Sequence, residues 1–197
     1  MSANASTSIR PSSRATDLAL VAVFAALLAV FALTPGIPLA IGVPITLQGL
    51  AVALTGMVLG PRRGFLAVLL YLVVGFAGLP VFANGGAGLG MFAKASIGYL
   101  LAFPLGAALC GFLSYRLLAA GRRPAWAWLA AAGAAGSLLV IHPAGMVGLA
   151  AVLHLNPGAA FAADMPFVPV DIAKCLVAGL IAAQVHRAFP GLAAPRR

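Results

Sequence analysis

The chain has 197 residues, of which 63% are hydrophobic and 8% charged, with a mean hydropathy of +1.10 and a formal net charge of +9. Soluble domains carry roughly 25% charged residues, so a water-soluble globular fold is excluded, and the apolar runs approach the ~20 residues that a spanning helix requires. Regular alternation over strand-length segments is absent, which argues against a membrane barrel, and the basic excess lies in short connectors, which makes it a topology signal rather than a nucleic-acid footprint.

Residues 1–16 are polar and Ser/Ala-rich, carry Arg10 and Arg14, and read as a disordered cytoplasmic tail. Leu18 to Leu33 is the first span. Val30-Phe31-Ala32 resembles a signal-peptide cleavage site, but the chain repeats such apolar segments, which favours a span. Ala22, Ala25, Ala26 and Ala29 stand at small-xxx-small spacing, a face that another helix can approach closely, in a partner or in the same bundle. Thr34 to Pro44 carries three prolines and two glycines and cannot be helical throughout. A second span is expected from Ile45 to Leu59, a doubly basic turn at Gly60 to Gly64, and a third span to about Leu79. The fourth runs from Ala95 to Tyr115. The fifth runs from Trp126 to about His154, with a kink at Pro143. Leu155 to Pro166 reads as a loop, and the sixth span runs from Phe167 to His186.

Every arginine of the chain falls in the N-terminal tail, the 60–64 turn, the 116–124 connector or the C-terminal segment ending in Arg196-Arg197. The other loops hold Lys94 and Asp164. This segregation predicts an all-α, integral membrane bundle of six helices with both termini cytoplasmic. The expected organisation is a tail over 1–16, a membrane domain over 17–189 and a basic tail over 190–197.

The glycine-rich stretch Gly78 to Gly90 lies on the outer side in this scheme. Gly85 and Gly86 tolerate strained backbone angles and let a ligand reach main-chain N–H groups; a flexible turn explains the same composition. No phosphate-loop pattern can be read across it. Asn84 supplies two donors and an acceptor, and Ser96 and Tyr99 begin the next span nearby. Asp171 and Lys174 share a helix face inside the last span. Intramembrane charges are costly and face an interior or a cavity. They form a self-neutralising pair, a polar ligand site, or one end of a proton relay that no other intramembrane carboxylate continues. Lys94 can meet a ligand carboxylate or snorkel to the interface. Gln48, beside Thr46, needs a partner if buried.

Cys110 and Cys175 read as helix-packing residues. His142 is expected to bond a neighbouring helix, while His154 and His186 fall near opposite membrane faces, too far apart to share a metal. No nucleophile is paired with a base, and no ATP site, catalytic residue, cofactor or metal set is recognised.

The stretch from Pro44 to Gly86 contains PITLQ, GPRRG with its following LLY, and GLPVF. With Gly98-Tyr99-Leu100 and the P-x-D-x-x-K of Phe167 to Cys175, it resembles the BioY family, the biotin-specific substrate-binding (S) components of energy-coupling factor (ECF) transporters. The resemblance covers most of the chain from residue 18. It implies high-affinity biotin capture and uptake by a non-enzymatic transporter subunit. Its partners would be a membrane coupling (T) protein and two cytoplasmic ATP-binding subunits, and a homo-oligomer remains open.

By motif position, Asn84, Asp171 and Lys174 would be the polar contacts, with Tyr99, Gly85 and Gly86 close by and Lys94 and Gln48 as further candidates. The ureido ring of biotin would meet these groups, and its apolar parts would meet Val81, Phe82, Leu89 and Phe92. Ala22, Ala25, Ala26 and Ala29 would face the coupling protein. Two differences from the family pattern are Lys94 to Tyr99, in place of a G-P-T-G-G-Y-like run, and Gly148, where an aromatic is expected. Alternatives are an S component for another vitamin, a proton-coupled secondary transporter acting alone, an intramembrane enzyme and a lipid-interacting scaffold.

Overall fold

The computed structural model describes residues 14–39, 41–120 and 125–193 of the chain. The expected tail over residues 1–13, the Arg122-Arg123 part of the basic connector and the Arg196-Arg197 end lie outside these residues. The architecture is α1 (Arg14–Leu33), α2 (Gln48–Phe76), α3 (Ile97–Ala119), α4 (Trp126–Gly136), α5 (His142–Leu153), α6 (Pro157–Asp164) and α7 (Phe167–Ala188). Short 3-10 turns cover Ala83–Gly85, Leu89–Ala93 and Pro190–Ala193. No strand occurs among the described residues, and an isolated antiparallel bridge between Ile37 and Ile45 pins the loop before α2. Helix α1 begins at Arg14, so the last residues assigned to the tail are already helical.

Five helices are long and apolar enough to cross a membrane: α1, α2, α3, the continuous Trp126–Leu153 helix and α7. One of them, α2, folds back on itself. Gly60 takes φ 79° and ψ −178°, a conformation open essentially to glycine, and Pro61 follows it. The two limbs lie side by side, because the Gln48 amide near one end reaches the Tyr71 hydroxyl at 2.6 Å. Helix α3 packs into this hairpin. A Cβ on Gly111 would stand 2.7 Å from the Gly56 carbonyl oxygen, so the glycine permits the contact.

Pro143 cannot supply an N–H to the preceding turn. The irregularity expected there takes the form of a π-helical turn over Ser137–Ile141 between α4 and α5. The stretch expected as a loop after His154 contains the helix α6. Its Asn156 cap accepts from the Ala159 N–H at 2.9 Å, and Pro157 opens the first turn. Cys110 and Cys175 are free and buried among the packed helices.

The arginine-bearing ends of the helices come together. Arg63 donates to the carbonyls of Leu59 at 3.1 Å and Leu192 at 3.0 Å, and lies 3.7 Å from Asp17. The Tyr115 hydroxyl is 2.9 Å from the Leu192 carbonyl oxygen. The start of the C-terminal tail is therefore a docked turn. Helix α1 sits at the periphery, with Val21, Ala25, Leu28 and Ala32 turned inward.

Candidate functional site

A cavity of about 270 Å³ opens at the end of the bundle away from these arginines. Its walls come from the loop before α2, the glycine-rich loop and the first turns of α2, α3 and α7. The loop is held from below. The Tyr71 hydroxyl accepts from Gln48 and donates to the Val81 carbonyl at 3.1 Å. Phe82 is fully buried, and its ring meets Tyr71 and Phe76 edge-on at centroid distances of 5.3 and 5.2 Å. Asn84 sits next, in a left-handed conformation with φ 57°.

Most of the residues singled out in the sequence converge here. Gln48, Asn84, Gly86, Lys94, Tyr99, Asp171 and Lys174 all line the cavity. Gly85 does not; with φ 72° it shapes the turn instead. Of the apolar side chains expected to meet a ligand, Phe82 is in the wall. Val81 is not; it holds the loop through its carbonyl. Leu89 (74% exposed) and Phe92 (50% exposed) point away, and Phe92 stacks on Phe76 at 5.0 Å. The apolar lining comes instead from Met91, Leu100, Phe103, Ile141 and Phe167. Met91 and Phe167 lie within segments that the sequence marks only as loop and span, so nothing in their spacing distinguishes them from packing residues.

Gln48 has its partners within the chain, the Tyr71 hydroxyl and, at 3.4 Å, the Thr46 hydroxyl. On α7 the Lys174 ammonium donates to Asp171 Oδ1 at 2.6 Å. The i,i+3 pair exists and also faces a cavity, so the ion-pair and ligand-site readings of these two charges are compatible. Gly49 of α2 faces the pair: a Cβ there would meet Asp171 Oδ1 at 3.4 Å, an ordinary contact distance.

Behind Asp171 stands a group of side chains that the sequence reading missed. Asp164, at the end of α6, is fully buried. It accepts from the Tyr99 hydroxyl at 2.6 Å and from His142 Nδ1–H at 2.7 and 2.9 Å on its two oxygens. A buried carboxylate requires such donors. The other ring nitrogen of His142, Nε2, lies 3.5 Å from Asp171 Oδ2. His142 does bond a neighbouring helix, as expected, but the bond leads into the site. Asp164 belongs to the wall of the bundle rather than to a loop. The Asn156-Pro157 helix start was the available signal: it places Ala160 and Asp164 one turn apart on a single face, and both are buried. His142 Nε2 faces a carboxylate and not a hydroxyl or thiol, so the pair is not arranged to activate a nucleophile.

Gly148, where an aromatic was expected, is not in the cavity. It faces α3, where a Cβ on it would stand 2.6 Å from the Gly98 nitrogen. Of the four alanines assigned to a partner face on α1, Ala25 is buried in the core, Ala29 is half-buried, and Ala22 and Ala26 are exposed. The arrangement as a whole can enclose a small molecule with apolar bulk, accepting its N–H groups at Asp171 and donating to its acceptors from Lys174, Asn84 and Lys94.

A model of the BioY family matches residues 3–191. The biotin transporter BioY of Rhizobium etli is 39% identical over 181 residues, which cover 90% of this chain and 97% of that protein. The biotin transporter BioY of Rhodobacter capsulatus is 39% identical over 184 residues, 88% of this chain and 95% of that protein. Among solved structures, the S-component for biotin from an ECF-type ABC transporter superposes with a TM-score of 0.82 at 24% identity, over 90% of this chain and 95% of that one, and so shares its fold. The helical hairpin of α2, the glycine-rich loop and the paired charges on α7 thus all fall within the stretch that the family model matches, and the chain belongs to the BioY family.

Proposed function

We propose that this chain captures biotin at the outer face of the bacterial cytoplasmic membrane and mediates its uptake as the S component of an ECF-type transporter. The observation that carries the reading is the Asp171–Lys174 pair facing an otherwise largely apolar cavity, in a chain whose relatives are biotin transporters. The ureido ring of biotin has two N–H donors and one carbonyl. Asp171 accepts an N–H, and Lys174 or Asn84 donates to the carbonyl. Lys94, at the cavity rim, meets the carboxylate.

The magnitudes require both kinds of contact. Hydrogen bonds to charged groups contribute about 1.5–3 kcal/mol each, whereas nanomolar affinity needs roughly 12 kcal/mol. Two or three such bonds fall short. Enclosure of the thiophane ring and valeryl chain by Phe82, Leu100, Phe103 and Phe167 supplies the remainder.

In this scheme the chain crosses the membrane six times, the two limbs of α2 counting separately, and both termini are cytoplasmic. The return at Gly60 and the gathering of arginines at one end support that topology. The membrane-embedded substrate-binding domain is the stretch 17–189, flanked by short cytoplasmic tails, and no cofactor takes part. Energy for release comes from partners, a membrane coupling protein and two ATP-binding subunits. The polar chain from Tyr99 through Asp164, His142 and Asp171 to Lys174 links α3, α6, α5 and α7 beside the cavity and does not run toward the arginine end, which disfavours a proton-coupled carrier.

The test is equilibrium binding of labelled biotin to the purified, detergent-solubilised chain and to its Asp171→Asn variant. Tight binding by the parent that weakens roughly tenfold or more in the variant supports the reading. Tight binding that the substitution leaves unchanged removes Asp171 from the site. No binding by a folded, monodisperse parent overturns the function.

A further inference from the structure

The ligand-facing charges of α7 do not stand alone. Asp164 lies 7 positions before Asp171 on a separate helix, in a part of the bundle that has no direct contact with the cavity. Its carboxylate is fully buried, and no lysine or arginine is paired with it among the described residues. Both of its oxygens are committed: one receives the Tyr99 hydroxyl, and both receive His142 Nδ1–H. These bonds fix the imidazole plane and determine which nitrogen faces Asp171. That nitrogen, Nε2, is buried, forms no hydrogen bond in this structure, and stands 3.5 Å from Asp171 Oδ2. Asp171 Oδ1 is meanwhile held by Lys174.

We propose that Tyr99, Asp164 and His142 form a buried brace that sets the orientation of Asp171 and thereby its power to distinguish a ligand N–H from an alkylated nitrogen. This inference rests on the proposed biotin site and deepens it. With Nδ1–H given to Asp164, Nε2 restrains Asp171 as the second N–H of an imidazolium; Lys174 and His142 then approach Asp171 on different oxygens, so the carboxylate is restrained from two sides. Restraint of this kind lowers the reorganisation needed when a ligand N–H arrives. Three helices besides α7 contribute: Tyr99 comes from α3, His142 from α5 and Asp164 from α6. Tyr99 accordingly serves as a positioning residue through its hydroxyl, while its ring remains in the cavity wall.

The experiment compares biotin with two analogues, each methylated on one ureido nitrogen, on the full chain in detergent. The variants are Asp164→Asn, His142→Asn and Tyr99→Phe, each checked for monodispersity and thermal unfolding. For the analogue blocked at the nitrogen that Asp171 serves, the parent shows a large penalty relative to biotin. In Asp164→Asn and His142→Asn, biotin affinity falls roughly tenfold and that penalty shrinks by a similar factor, because a misoriented Asp171 no longer rewards the N–H. Tyr99→Phe removes a single oxygen atom and leaves the ring, so it stays testable if the other variants fail to fold, and it shows the same change on a smaller scale. If biotin and the analogues lose affinity in equal proportion, the three residues only support the fold and the inference is overturned while biotin capture stands. A parent that binds biotin but shows no penalty for either analogue has the same meaning. A folded parent that binds no biotin overturns both readings.

Discussion

The Gln48 side-chain amide donates to the Tyr71 hydroxyl at 2.6 Å, across the two limbs of α2. The same hydroxyl donates to the Val81 carbonyl at 3.1 Å. One oxygen atom therefore couples the hairpin to the start of the glycine-rich loop. Tyr71→Phe removes it and leaves a buried amide and a carbonyl without their partner. The expected loss of stability is about 1–3 kcal/mol, read as a lower midpoint of thermal unfolding in detergent. Because the loop forms one wall of the cavity, labelled biotin is expected to dissociate faster from the variant, with a smaller change in association rate.

The reversal inside α2 gives a second prediction. Gly60 has φ 79° and ψ −178°, and a Cβ there would lie 2.7 Å from the Tyr115 ring. Gly60→Ala imposes backbone strain of about 1–3 kcal/mol and pushes Tyr115 away from the Leu192 and Val58 carbonyls that its hydroxyl now reaches at 2.9 and 3.0 Å. The variant is expected to unfold at lower temperature. Its biotin affinity, once folded, is expected to match the parent's, because the turn lies at the far end of the bundle from the cavity. A variant that keeps full stability would contradict this account of the turn.

A third prediction separates cavity from packing. Gly148 faces α3, with a Cβ position 2.6 Å from the Gly98 nitrogen, and so allows the two helices their close approach. Gly148→Ala is expected to destabilise the protein through overpacking, by about 1–3 kcal/mol. Had Gly148 been part of the cavity floor, the same methyl group would change biotin affinity and leave stability nearly untouched. Measuring both quantities on one variant distinguishes the two.

These residues also show what could be read from the chain and what could not. The membrane character, the span positions and the basic turn follow from composition and arginine placement, because bilayer energetics act on local sequence. Asp171 and Lys174 could be recognised because charge inside an apolar run is rare and costly. Gly148 could not be assigned, because a small residue that lets two backbones meet and one that opens a cavity look alike until the facing helix is known. Asp164 was misplaced for a related reason. An eight-residue helix between two long spans has too little apolar periodicity to stand out, and its cap at Asn156 was the sole local clue. His142 depended on that helix for its partner, so missing α6 hid the brace. The outward turn of Leu89 and Phe92 depends on loop geometry, with Gly85 and Gly88 at φ 72° and 69°, that residue order alone does not determine.

The two sides of α1 give the last prediction. Ala25 is buried with Leu28 and Ala32, whereas Ala22 and Ala26 are exposed, on the face that the bundle leaves open. If the coupling protein docks on that open face, leucine at position 22 or 26 disturbs a partner and leaves the free chain intact. Ala22→Leu and Ala26→Leu are therefore expected to retain parental thermal stability and biotin affinity in isolation but to lower recovery of the coupling protein in co-purification. Ala25→Leu inserts its extra atoms into the chain's own core and is expected to cost about 1–3 kcal/mol of stability, with any loss of partner following from that. The contrast between positions 22 and 25, three residues apart on one helix, makes the assignment testable. If Ala22→Leu and Ala26→Leu co-purify like the parent, the partner does not dock on this face. Small residues meeting across the interface let helices approach closely, so the effect should grow from serine to valine to leucine at position 26, a graded series that a nonspecific loss of expression would not reproduce.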